Sequence, residues 1–187
     1  MVKNFSFHNT EIDGLKLIDP FISYDNRGYF MKYYEKDIFL ENGVVLNSYE
    51  ENQSFSMRGV LRGLHFQTLN SQSKLIRVIK GEIFDVAVDL RPESSTFGKW
   101  QGFYLSEKNK QMLFIPENFA HGFLTISGEA VISYICGDKY SPEYDSGIIW
   151  NDESINVKWP LDSIDKLIIS EKDSCLMKFC DYTDKAN

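Results

Sequence analysis

The sequence predicts an all-β architecture: an antiparallel sandwich or barrel with short peripheral helices and a C-terminal wrap. Three observations carry that reading. From Gly59 onward, apolar and polar residues alternate over one run after another, the period of a half-buried strand. The runs are short, are punctuated by Gly and Pro, and recur every 8 to 12 residues or so, as in sandwiches and barrels. No strand–helix–strand alternation is present, which excludes a doubly wound parallel sheet.

Taken in order, Asp25-Asn26-Arg27-Gly28 reads as a turn. The aromatic-rich residues 29–34 then read as a strand, because aromatic side chains fit a pleated, half-buried surface. Residues 35–44 predict one short helix ending at Gly43. Strands follow at residues 60–66, 75–79, 83–90, 102–105, 111–115, 122–126 and 130–135, with Lys80-Gly81-Glu82 and Ser127-Gly128-Glu129 as tight turns. After Trp159-Pro160-Leu161 the chain becomes more charged, and loops with a short helix are expected to wrap the barrel. There is no internal repeat, low-complexity stretch or linker, so residues 1–187 are expected to form one domain.

Composition bounds the function. With 43% hydrophobic and 14% aromatic residues, the chain carries enough apolar surface for a sizeable core, which excludes a disordered tail protein. No apolar run approaches the roughly 18 residues that cross a bilayer. The opening Met1-Val2-Lys3-Asn4-Phe5-Ser6 has no apolar stretch, so no secretory signal is expected. Twenty basic against 27 acidic residues give a net charge of -7, the wrong balance for a phosphate-backbone binder; no nucleic-acid partner is expected. Cys136, Cys175 and Cys180 are odd in number and form no CxxC, so they read as free thiols of a cytoplasmic protein.

Only three histidines are present. His8 lies in a polar segment and reads as a surface residue. His65 alternates with Leu64 and Phe66, so it shares one strand face with Gly63 and Gln67. His121 opens a later strand. The pattern resembles the jelly-roll cupins, whose second motif is matched by Pro116-Glu117-Asn118-Phe119-Ala120-His121. In the first motif Gln67 stands where a second histidine would be. A metal site needs about three convergent ligands, so no metal and no cofactor is expected, and general acid–base chemistry is the natural use of such a pocket.

The resemblance then narrows. Asn52-Gln53-Ser54-Phe55-Ser56, Arg62-Gly63-Leu64-His65-Phe66-Gln67, Lys74-Leu75-Ile76-Arg77-Val78, Ser95-Thr96-Phe97-Gly98-Lys99-Trp100, Tyr140-Ser141-Pro142-Glu143 and Ile149-Trp150-Asn151-Asp152 resemble the dTDP-4-dehydrorhamnose 3,5-epimerase family in order and spacing. The likeness covers residues 10–175. It implies a cupin-like jelly-roll barrel, a homodimer, and a nucleotide-diphosphate 4-keto-6-deoxysugar substrate epimerised beside its ketone. Such chemistry demands a base on one face, a cation for the enolate oxygen, and an acid on the opposite face.

By that resemblance His65 is the base, Asp173 in Ser170-Glu171-Lys172-Asp173 orients it, Lys74 holds the enolate, and Tyr134 is the opposing acid. Arg27, Arg62 and Lys172 match basic positions for the diphosphate and nucleotide. Asn52 and His121 match polar contacts, and Phe30 and Tyr140 match aromatics that stack on a base. The chain departs from the family pattern at Lys32, where Glu is usual, at Glu50, where Gln is usual, and at Asp145, where Glu is common. These three fall in the nucleotide-contacting region, so a different nucleotide, or inversion at a single carbon, is an open alternative. A non-catalytic sugar-nucleotide-binding cupin and a metal-dependent cupin are the readings outside the family.

Overall fold

The computed structural model describes residues 2–186. Fourteen strands are present: β1 (Val2–Lys3), β2 (Ser6–Asn9), β3 (Lys16–Asp19), β4 (Phe21–Asp25), β5 (Gly28–Lys32), β6 (Glu50–Met57), β7 (Leu61–Gln67), β8 (Lys74–Lys80), β9 (Glu82–Asp89), β10 (Trp100–Ser106), β11 (Met112–Ile115), β12 (Phe119–Thr125), β13 (Glu129–Cys136) and β14 (Asp145–Gly147). Three helices accompany them: α1 (Lys36–Glu41), α2 (Glu171–Ser174) and α3 (Phe179–Ala186). The strands form a six-stranded sheet ordered β2-β3-β11-β8-β13-β6, a five-stranded sheet ordered β10-β9-β12-β7-β14, and a small sheet ordered β1-β4-β5. Every named pair within these sheets is antiparallel.

Strand alternation explains the layering. Ile76 and Val78 of β8, Ile83 and Ala87 of β9, Phe119 and Phe123 of β12, and Ala130 and Ile132 of β13 point into one core between the two large sheets. Their neighbours point outward and need cover. On the five-stranded sheet, Leu64, Phe66, Val86, Val88 and Leu124 are covered by the chain after Gly147, including Trp150, Trp159, Leu161, Phe179 and Tyr182. On the six-stranded sheet, Leu75, Met112, Phe114 and Ile135 are covered by Phe5, Phe7 and Phe39 of α1. Each fully buried aliphatic side chain contributes about 1.5–3 kcal/mol through loss of apolar surface to water.

The expected helix at residues 35–44 is α1. It stops where the left-handed Gly43 (φ 73°) lets the Val44 amide turn back to the Phe39 carbonyl. The expected C-terminal wrap is the cover of the five-stranded sheet, with α2 and α3 as its helices. Among the described residues, no helix is long and apolar enough to cross a membrane.

Candidate active site

The inward positions are not all apolar. By the same alternation, Asn52, Ser54 and Ser56 of β6, His65 and Gln67 of β7, Lys74 of β8, Asp85 of β9, His121 of β12 and Tyr134 of β13 sit on the faces that enclose the core. His121 is the direct cross-strand partner of His65, Cys136 of Lys74, and Asn52 of Tyr134.

Local backbone geometry sets the first histidine. Gly63 has φ 115°, and a Cβ there would lie 2.5 Å from the Gly122 Cα. A Cβ on Gly122 would lie 2.6 Å from the Arg62 carbonyl oxygen. Two facing glycines therefore let β7 and β12 close together across a register shift beside His65. The inward amide of Gly63 donates to Asp173 Oδ2 at 3.0 Å, and His65 Nε2 donates to Asp173 Oδ1 at 2.8 Å. Asp173 is carried there by α2, whose N-cap Ser170 accepts the Asp173 amide at 3.0 Å. Burial pushes the Asp173 carboxyl up, but the His65 bond, the Gly63 amide and the His65 charge outweigh it and hold the group below the usual carboxylate range. With Nε2 committed to Asp173, the His65 Nδ1 is left without a protein partner among the described residues.

A cleft of about 250 Å³ opens beside this pair, lined by His65, Gln72, Lys74, Tyr140, Asp145 and Lys172 among others. No carboxylate among the described residues lies within ion-pair distance of the Lys74 ammonium. Burial pulls its pKa down, against the opposing pull of Cys136 and Asp145. Tyr140 donates its hydroxyl to Asp145 Oδ2 at 2.8 Å, and the Lys172 ammonium closes on the same oxygen. Burial raises Asp145, but the Lys172 and Tyr140 hydrogen bonds prevail and leave it lowered. Glu50 Oε1 takes the Tyr140 amide at 2.7 Å, and Oε2 takes the Asn52 amide group at 3.4 Å. Tyr134 shares a 2.8 Å hydrogen bond with the Ser54 hydroxyl; burial pushes its phenol strongly upward despite that bond, so it stays protonated. Arg62 donates to Ser56 Oγ at 3.1 Å and to the Phe55 carbonyl at 3.2 Å. A larger hollow of about 470 Å³ lies behind β7 against Phe66, Leu90, Met177 and Tyr182. It shares Phe66, Gln67 and Asp145 with the cleft but reaches neither His65 nor Lys74, so the smaller cleft is the chemical one.

Three expected binding residues lie elsewhere. Arg27 sits at the tip of the β4–β5 hairpin, exposed and paired with Asp25 at 2.6 Å. Phe30 is 63% exposed. Lys32 pairs with Glu35 at 2.5 Å. Phe30 and Lys32 border a recess with Glu51 and Ile135, residues that alternate with the inward Asn52 and Tyr134 and so belong to the opposite face of the six-stranded sheet.

The sequence reading missed two residues of the site. Asp85 is fully buried and takes His121 Nε2 on both oxygens, at 3.0 and 2.9 Å. The available signal was an aspartate at an inward position among the apolar Ile83, Phe84, Val86, Ala87 and Val88 of β9. Ser54, the partner of Tyr134, lies two residues beyond Asn52 on the same strand face and was legible in the same way.

Fold and site together define a cupin-like sandwich of the nucleotide-sugar epimerase class, with an oriented imidazole and an ammonium without an anionic partner among the described residues lining one cleft, and a protonated phenol on the neighbouring strand β13. Comparison with known proteins makes the class particular. A profile describing dTDP-4-dehydrorhamnose 3,5-epimerase matches residues 9–181. The protein of that name from Methanothermobacter thermautotrophicus is 54% identical over 169 residues, covering 90% of this chain and 91% of its own. The Escherichia coli protein of the same name is 46% identical, covering 89% of this chain and 90% of its own. A Legionella pneumophila dTDP-6-deoxy-D-glucose-3,5-epimerase, crystallised in complex with dTDP-4-keto-L-rhamnose, superposes with a TM-score of 0.90 at 41% identity, covering 94% of this chain and 93% of its own. The chain belongs to the dTDP-4-dehydrorhamnose 3,5-epimerase family.

Proposed function

We propose that this protein converts dTDP-4-dehydro-6-deoxy-D-glucose to dTDP-4-dehydro-L-rhamnose by inverting the two carbons beside the ketone. His65 Nδ1 takes the α-proton, and Asp173 steadies the imidazolium that results. The Lys74 ammonium pairs with the ketone oxygen as it becomes an enolate; its partial desolvation strengthens that contact. Tyr134 returns a proton from the opposite face, which inverts the carbon. Lys172, Arg62, Asn52 and Tyr140 hold the diphosphate and nucleoside at the mouth.

The observation that carries the reading is the His65–Asp173 hydrogen bond beside a lysine with no anionic partner among the described residues. An ammonium left unpaired in a partly buried cleft is suited to meet charge that arrives with, or develops on, a ligand.

We further propose that the whole chain acts as one domain, and as a homodimer in the cytoplasm. Arg27, Phe30 and Lys32 reach a nucleotide only if another copy presents the hairpin, and the exposed Tyr24, Tyr29 and Phe30 give that hairpin an apolar surface to bury.

Incubation with the thymidine substrate, borohydride trapping and sugar analysis tests the activity. Rhamnose and 6-deoxytalose are expected. Quinovose and fucose alone would overturn the reading, and a sugar inverted at one carbon would restrict it to a single-site epimerase.

A further inference from the structure

Two histidine–aspartate pairs lie side by side, since His65 and His121 are direct cross-strand partners. The environments of their carboxylates differ. Asp173 receives a second donor, the Gly63 amide, and its histidine is about a third exposed, so an aspartate anion there is held by two hydrogen bonds beside a ring that water reaches. Asp85 is fully buried, and His121 Nε2 is its only hydrogen-bond partner among the described residues. A buried anion with one neutral donor is costly. The pair therefore settles where its net charge is zero.

Only two arrangements achieve that. Either aspartate faces imidazolium, or a protonated aspartate donates to Nε2 of a neutral ring. In both, the second ring nitrogen, Nδ1, carries a proton. That nitrogen has no protein partner among the described residues and is not sealed from solvent. Around the pair stand Tyr134, whose ring centroid is 6.5 Å from that of His121, Arg62, and His65. Burial pushes the Asp85 carboxyl up against the pull of His121, in the same direction.

We propose that Asp85 is a positioning residue that fixes His121 as a hydrogen-bond donor through Nδ1, aimed at an oxygen of the sugar, while Asp173 leaves His65 Nδ1 unprotonated as the base. Two pairs of the same chemical type thus take opposite proton states because one carboxylate has a second donor and a partly exposed histidine and the other has neither. The inference rests on the epimerase reading only for the identity of the oxygen that receives the bond.

The test begins with the free protein, so its outcome is independent of substrate. Long-range proton–nitrogen NMR of 15N-histidine-labelled protein at pH 7.5 reports the protonation of each ring nitrogen; with three histidines, His8→Asn and His121→Gln assign the signals. His121 is expected with a protonated Nδ1 and His65 with an unprotonated one. A His121 signal with bare Nδ1 would overturn the proposal. The Asp85→Asn variant provides the second reading. Its neutral carboxamide can meet Nε2 with either its oxygen or its NH2, so Nδ1 is no longer held protonated; the Nδ1 signal is expected to move toward the bare-nitrogen value, and turnover of the thymidine substrate to fall about 10-fold. Because Asp85 acts through His121, the same substitution in His121→Gln should cost less than about threefold further. A multiplied loss in the double variant would assign Asp85 a role in the fold alone and refute positioning. If the donor is present but wild-type protein leaves the substrate unturned, the NMR result stands and the epimerase reading falls.

Discussion

Replacing Asp173 by asparagine perturbs the site at one atom, and the geometry dictates the cost. The carboxylate accepts two donors, His65 Nε2 at 2.8 Å and the Gly63 amide at 3.0 Å, and is 4% exposed. A carboxamide has one acceptor oxygen and one donor NH2, so it cannot satisfy both. With NH2 toward Gly63, two donors face each other, a loss of about 1–3 kcal/mol in stability. With NH2 toward the histidine, Nε2 must carry the lone pair, which moves the proton onto Nδ1 and blocks the nitrogen that accepts the substrate proton. The second arrangement keeps the fold and removes the base, and wrong-tautomer variants of this kind lose about 10³- to 10⁴-fold in turnover, or about 4–5.5 kcal/mol of barrier. The assay is the rate of borohydride-trapped rhamnose formation, alongside thermal melting. Turnover within threefold of wild type at unchanged stability would refute the argument that Asp173 orients the base.

Other outcomes follow from the same geometry. The Lys74 ammonium is needed as a cation, and burial lowers its pKa, so turnover should fall on the alkaline side at a pH below 10.5; Tyr134, pushed upward, stays protonated there. Lys74→Arg should abolish that alkaline limb in whatever activity remains, and a limb that stays in place would assign it to another group. Gly63→Ala places a Cβ 2.5 Å from Gly122 Cα and 2.7 Å from the His121 carbonyl at φ 115°, and should cost about 3 kcal/mol, seen as a melting temperature roughly 10 °C lower. Asp89 tests the electrostatics away from the cleft: burial opposes its ionisation, but bonds from Arg91, Ser94 and Thr96 lower its pKa to about 2. A depressed carboxylate stabilises the fold above its unfolded pKa and loses that contribution as pH falls through the folded one. Asp89→Asn should therefore be about 2 kcal/mol less stable at pH 7, with the gap closing between pH 4 and 2. A gap independent of pH in denaturant titrations would contradict this.

The sequence made some of this legible and hid the rest for physical reasons. Strands β7 to β13 could be read because one face is apolar and the other is not, or because both are buried. Strand β6 could not, because its polarity is inverted: Asn52, Ser54 and Ser56 face inward to the cleft, while Phe55 and Met57 are exposed. The short strands β1 to β4 carry too few residues for any period to emerge. Asp173 lies 108 residues from His65 in a charged segment, and alternation cannot connect them; only the family resemblance did. Asp85 was readable by parity, as a charge at an inward position, yet its partner His121 became apparent only when the register paired β9 with β12.

Proton abstraction by His65 at the carbons beside the ketone is the step on which the proposed activity depends. Proton NMR in deuterated water with dTDP-4-keto-6-deoxyglucose, comparing wild type with His65→Asn, measures that step without requiring the product to be isolated. Deuterium is expected to enter at carbons 3 and 5 with wild type, and at a rate at least about 10³-fold slower with the variant. Equal rates of incorporation in the two proteins, or none with wild type, would contradict that expectation.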